Sequence, residues 1–155
     1  MNELYIIKGG HNEAWNNVFL KLNKSENDVL KNEFSKPYFE NSPHFNISHS
    51  FDYAVVCFCD EPVGVDIEKI RDVNLKIKDR FFCTAEKENI KTNEDFFRIW
   101  TAKESYIKYL GTGLHTPLNS FDTGSLDVNF LHLDFNGYHI CVCTKNKEEF
   151  KIQGA

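Results

Sequence analysis

The sequence predicts an α/β chain whose helices and strands share a core, and three observations predict it. Residues 45–50 and 63–68 alternate apolar with polar, and residues 53–59 are almost wholly apolar, as strands are. Apolar residues fall at helical spacing around positions 14–22 and 96–107. Asn136-Gly137 separates two further strand-like runs, a strong hairpin signal. A chain of 155 residues that is 41% apolar and 26% charged reads as one domain, 1–155, and its 14 Phe point to an aromatic-rich core.

In order, residues 4–7 form a strand closed by Gly9-Gly10, and 12–22 form a helix. Residues 24–32 are a loop or a second short helix, and Ser35-Lys36-Pro37 imposes extended or turn geometry. In 45–50, Phe45, Ile47 and His49 face one way and Asn46, Ser48 and Ser50 the other. Residues 53–59 are a strand buried on both faces, and 60–62 turn into the strand 63–68. That strand sets Val63, Val65 and Ile67 against Gly64, Asp66 and Glu68. Residues 75–82 are a helix, and Thr84 caps the start of another. Residues 96–108 form the organising helix, capped by Thr92 or Asn93 and stopped by Gly111 and Gly113. Residues 112–118 are a loop, 126–135 and 138–144 are hairpin strands, and the polar tail from Lys145 frays.

The net charge of −5 provides no global basic footprint, so neither nucleic acid nor membrane is an expected partner. An anionic ligand has to be met locally, by a few Lys and His or by a metal. No run is long enough to span a bilayer, and residues 1–10 lack a leader-like apolar stretch. Five cysteines with no CxxC pair fit reduced thiols, hence a cytoplasmic protein.

Asp66 and Glu68 share a strand face, and Glu104 and Lys108 lie one turn apart on a helix face with Trp100. Taken singly, the carboxylates read as a wet strand face and a Glu–Lys helix pair. Taken together, on core-like segments, they are the hard oxygen ligands of a Mg²⁺ site for phosphate chemistry. His139, Cys141 and Cys143, with Cys57 and Cys59, admit a soft-metal site, but small cysteines packed in a sheet are the simpler reading. Gly111-Thr112-Gly113 lacks the lysine of a phosphate loop.

Phe45-Asn46-Ile47-Ser48-His49-Ser50, Val63-Gly64-Val65-Asp66-Ile67-Glu68 and Trp100-Thr101-Ala102-Lys103-Glu104-Ser105 with Lys108 closely resemble the Sfp-type 4′-phosphopantetheinyl transferases. Gly111-Thr112-Gly113-Leu114, Pro117 to Phe121 and Lys36-Pro37 add to the likeness, which covers roughly residues 34–144. It implies an α/β (α+β) fold of two pseudo-dimeric halves with the active site between them, the first half reduced. It divides the chain into a shortened N-terminal segment (residues 1–35), a motif-bearing region (residues 36–144) and a tail (residues 145–155).

The activity implied is transfer of the 4′-phosphopantetheine arm of coenzyme A, the co-substrate, to a serine of an apo acyl or peptidyl carrier protein, releasing 3′,5′-ADP. By resemblance, Asp66, Glu68 and Glu104 hold Mg²⁺, and Glu104 is the base. Lys108 binds phosphates and assists the leaving oxygen, while Lys36, Pro37, Ser48 and His49 contact coenzyme A. Ser35 stands where the family usually has Gly, and the longer members carry more residues ahead of Lys36. Monomer and homo-oligomer therefore both stay open. Two other readings are a non-catalytic relative binding coenzyme A or a carrier, and a Mg²⁺-dependent phosphodiesterase using water as nucleophile.

Overall fold

The computed structural model describes residues 2–154, without the side chain of Leu114. Strand β1 (Glu3–Lys8) leads into helix α1 (His11–Leu22). A 3₁₀ turn at Glu26–Asp28 and the two-residue strands β2 (Leu30–Lys31) and β3 (Pro37–Tyr38) follow. Strands β4 (His44–Ser50), β5 (Tyr53–Cys59) and β6 (Val63–Lys69) come next. The expected helix over 75–82 is a 3₁₀ turn, Leu75–Ile77, running into α2 (Lys78–Phe81). Helix α3 (Thr84–Lys87) has Cys83, not Thr84, at its N-cap. Helix α4 (Asn93–Leu110) precedes three 3₁₀ turns, and the hairpin β7 (Asn129–Phe135) and β8 (Tyr138–Thr144) follows.

The tail does not fray throughout: β9 (Lys151–Gln153) pairs in parallel with β1, Glu3 opposite Lys151. Its signal is weak because the strand is short and lies at a sheet edge, where only Ile152 is apolar.

The main sheets have the orders β4-β5-β1-β9 and β6-β8-β7. Each contains the same unit, strand–helix–strand–strand. In β1-α1-β4-β5 and again in β6-α4-β7-β8, the last strand pairs antiparallel with both others. The pseudo-dimeric architecture is therefore present, with 12 residues in the first helix and 18 in the second. Between the sheets lies a core of Leu4, Ile6, Val55 and Cys57 against Val63, Val65, Ile67 and Ile140. Ala14 and Val18 of α1 pack with Phe45, Ala54, Val56 and Phe58. Phe96 and Phe97 of α4 pack with Phe82 and Ile90.

The two halves meet along β4 and β6. These strands do not pair through their backbones; the polar face of β4 substitutes for a neighbouring strand. Val65 N–H donates to Asn46 Oδ1 (2.8 Å), Ile67 N–H to Ser48 Oγ (3.2 Å) and Lys69 N–H to Ser50 Oγ (3.0 Å). This is why Asn46, Ser48 and Ser50 are buried although polar: they satisfy edge donors that would otherwise be orphaned.

Candidate active site

Helix α4 is fixed at both ends before it contributes any chemistry. Thr92 Oγ1 accepts from Asp95 N–H (3.1 Å), and Asp95 Oδ2 accepts from Thr92 N–H (3.1 Å), a closed capping box. Gly111 ends the helix at φ 72°, the left-handed geometry glycine tolerates. Its middle lies on β6 at Gly64, where a Cβ would stand 2.0 Å from Ser105 O and 2.4 Å from Tyr109 N. The absent side chain at Gly64 is thus what lets the helix backbone come this close to β6.

Lys103 anchors the same helix from behind. It is fully buried, its Nζ 2.6 Å from Glu86 Oε1 and 2.5 Å from Phe121 O, and 4.1 Å from the Phe121 ring centre. With Lys103 held away from the cleft, Glu104 turns into it.

The cleft measures about 700 Å³ and lies on the seam between the halves, within the range of small-molecule sites. It brings together every residue the sequence singled out for the site: Lys36, Pro37, Ser48, His49, Asp66, Glu68, Glu104 and Lys108. Three contributors escaped sequence reasoning. Trp15 of α1 fits the apolar stripe of its helix, and His11 lies 5.9 Å ring to ring from His49. Lys31 sits on the tiny strand β2, which has no periodicity to read.

Asp66 is buried at the floor. Burial pushes its carboxyl up to about 7 against the pull of Lys108, and Glu68 and Glu104 push the same way. Its Oδ1 accepts from Ser48 Oγ (3.1 Å) and from Lys108 Nζ (3.2 Å), while its Oδ2 is buried with no partner. Burial also raises Glu104, with Lys108 opposing and Glu68 reinforcing. Lys108 therefore pairs with Asp66, and it also donates to Val65 O (3.1 Å). Glu68 meets Arg71 at 3.2 Å on the rim.

Lys36 is placed by Asn32. The Asn32 amide donates to Gly111 O (3.1 Å), and its Oδ1 accepts from the N–H groups of Phe34 (2.9 Å) and Lys36 (2.8 Å). Between them Ser35 takes φ 70°, which explains a family preference for glycine there. Lys36 Nζ donates to Val63 O (3.1 Å), and burial lowers it to about 8. Ser48 lies in the cleft with its hydroxyl already engaged by Asp66 and Ile67, so it shapes the floor more than it offers a free donor.

The carboxylates fit a hard divalent cation: three oxygen donors face one cleft, and one buried oxygen lacks a partner. Cys83, Glu86 and Asp122 also bring ligand atoms within 4.8 Å of one another. There, however, Lys103, Cys83 N–H and Thr123 already occupy both Glu86 oxygens. The five cysteines are free, and those on the sheets, Cys57, Cys59, Cys141 and Cys143, are buried as small apolar residues. No helix among the described residues is long and apolar enough to cross a membrane.

A family model described as the 4′-phosphopantetheinyl transferase superfamily matches residues 62–153. The chain is 42% identical over 108 residues to 4′-phosphopantetheinyl transferase gsp of Aneurinibacillus migulanus, covering 64% of this chain and 46% of that protein. It is 38% identical over 109 residues to 4′-phosphopantetheinyl transferase Sfp of Bacillus subtilis (strain 168), covering 65% and 49%. It is 34% identical over 138 residues to the human L-aminoadipate-semialdehyde dehydrogenase-phosphopantetheinyl transferase, covering 79% and 43%. The chain thus spans about half the length of the curated relatives it matches. With the model match running from the turn before β6 through β9, and so over both strand and helix of the carboxylate cluster, the chain belongs to the 4′-phosphopantetheinyl transferase superfamily, and within it to the Sfp type.

Proposed function

We propose that this protein moves the 4′-phosphopantetheine arm of coenzyme A onto a serine hydroxyl of an apo acyl or peptidyl carrier protein, releasing 3′,5′-ADP. The observation that carries the reading is the meeting of Asp66, Glu68 and Glu104 with Lys36 and Lys108 in one cleft between the halves. In this reading the protein is a Mg²⁺-dependent holo-[acyl-carrier-protein] synthase acting in the cytoplasm.

Asp66, Glu68 and Glu104 would hold Mg²⁺, which when bound neutralises pyrophosphate charge. Lys36 and Lys108 supply fixed positive charge, held by neighbouring β6 carbonyls, Val63 O and Val65 O. Lys108 is pinned by Asp66 and Val65 O, so it needs little reorganisation to meet phosphate oxygens or the leaving oxygen. Glu104 takes the serine proton as the serine oxygen bonds to phosphorus, and the phosphorus–oxygen bond to 3′,5′-ADP breaks. His49 and Pro37 bound the coenzyme A side, with His11, Trp15 and Lys31 next to them.

The test is intact-mass spectrometry of an apo carrier incubated with the protein, coenzyme A and Mg²⁺, with an EDTA control. A metal-dependent gain of one phosphopantetheine arm is expected. Unmodified carriers beside measurable coenzyme A binding would replace this reading with that of a non-catalytic relative. Release of a nucleotide without carrier modification would favour the phosphodiesterase.

A further inference from the structure

The turn between β4 and β5 carries a residue with two unfavourable features at once. Phe51 sits at φ 50°, left-handed geometry that a bulky L side chain avoids, and it is 62% exposed. The turn is held firmly, since Gly9 N–H donates to Asp52 O (2.8 Å) and Asp52 N–H donates to Tyr138 Oη (3.1 Å). The ring is therefore presented outward on a rigid support. Lys69 Nζ lies 4.9 Å from its centre and the Arg71 guanidinium 5.4 Å. Such contacts are weak at an exposed site and fall short of the cost of holding a bulky residue in left-handed geometry, so they do not by themselves account for the residue. An exposed, strained aromatic on a firm base points to a binding role.

Two further observations say what it binds. The patch borders the catalytic cleft: Arg71 joins Glu68 of the cleft, and His49 of the cleft stands two residues before Phe51. The segment that begins at Lys69 is also the basic stretch of an acidic protein. Of residues 69–80, five are Lys or Arg and two are Asp, against a chain charge of −5. An acidic partner is thereby drawn to this edge and repelled elsewhere.

Building on the transfer reading above, we propose that Phe51, flanked by Lys69 and Arg71, is the docking knob for the acidic carrier protein, whose apolar surface receives the ring while its carboxylates meet the two cations. Docking there sets the carrier beside Glu68 and within reach of Glu104. Rigid aromatic and Arg side chains at a cleft edge are the residue types that dominate interface energies.

The experiment compares wild type, Phe51→Asn and Lys69→Glu. Asn accepts left-handed geometry, so Phe51→Asn removes the ring without adding strain, and its melting temperature is expected not to fall. Affinity for a purified apo acyl carrier protein of net negative charge is measured by fluorescence anisotropy at two salt concentrations. Coenzyme A affinity is measured by calorimetry, and carrier loading by mass.

Phe51→Asn is expected to weaken carrier binding at least about tenfold, with coenzyme A affinity unchanged. Lys69→Glu is expected to weaken it and to flatten its salt dependence. Carrier affinities within about twofold of wild type in both variants, or a wild type that binds no carrier, overturn the docking site. Wild type that binds through Phe51 without loading the carrier leaves docking standing and removes the transfer reading. Loading with an unchanged KM for the carrier in both variants does the reverse.

Discussion

Gly64→Ala tests whether the seating of α4 on β6 sets the site. A methyl at Gly64 would stand 2.0 Å from Ser105 O, 2.4 Å from Tyr109 N and 3.0 Å from Lys108 C, all backbone. No side-chain rotamer relieves that contact, so the helix has to retreat by about 1 Å to reach a tolerable separation. Overpacking of this kind costs about 1–3 kcal/mol, and rigid neighbours place this case near the top of the range. For a domain of this size about 3 kcal/mol lowers the melting temperature by roughly 6–12 °C.

The same retreat stretches the 3.2 Å Lys108–Asp66 contact to about 4 Å and moves Glu104 out of line. Loading is then expected to fall about a hundredfold even at temperatures where the variant stays folded. The checks are a thermal melt followed by circular dichroism and carrier loading followed by intact mass at 15 °C. A variant that melts within about 1 °C of wild type and loads at the same rate would refute the claim that close approach at Gly64 positions the carboxylates.

The remaining expectations concern single side chains. Glu104→Gln should reduce loading by about 10²–10⁴-fold while coenzyme A affinity by calorimetry stays within about twofold; loading at wild-type rate removes Glu104 as the base. Lys103→Met should cost about 3–5 kcal/mol in urea unfolding, because it strands the buried Glu86 carboxylate. Lys103→Met with Glu86→Gln should recover much of that loss, and equal stabilities of the single and double variants would contradict the pairing. His132 is held down to about 4, chiefly by burial and also by Arg98 and His139. The unfolded chain therefore takes up a proton near pH 6.5 that the folded one refuses, and stability falls as pH drops from about 6.5 towards 4. Discounted for partial exposure, the loss is about 1–2 kcal/mol, read as the difference in urea midpoint between pH 7 and 5. His132→Asn should remove that slope, and an unchanged slope would place the acid sensitivity elsewhere.

Local pattern made much of this fold legible. The alternation over residues 63–68 put Asp66 and Glu68 on one face and three apolar residues on the core face, where the structure has them. The periodicity and caps of α4 likewise turned Glu104 and Lys108 to one side. What stayed hidden depended on distant partners. Nothing local says that Asn46, Ser48 and Ser50 are buried, because their reason is the row of β6 N–H groups opposite them. The pairing of Lys108 with Asp66, in place of its helix neighbour Glu104, is of the same kind. Lys151–Gln153 becomes a strand only because β1 offers it a free edge.

The repeated strand–helix–strand–strand unit leaves no repeat in the residues themselves, where only the family resemblance implied two halves, and it explains why the cleft has two chemistries. Topologically equivalent halves face each other across the β4–β6 seam, yet they carry different side chains. The carboxylates all come from the second half, on β6 and α4, while His11, Lys31, Lys36 and His49 all come from the first half or its link to β4. A seam joined by main-chain pairing would have been closed. Side chains in place of a neighbouring strand join the sheets without continuing one into the other, and leave room over Asp66 for a ligand. The ligand such a cleft suits is anionic where it meets the first half and shares a cation with the second. A divalent metal pyrophosphate has that form, which is the physical reason the proposed transfer and the division of the fold agree.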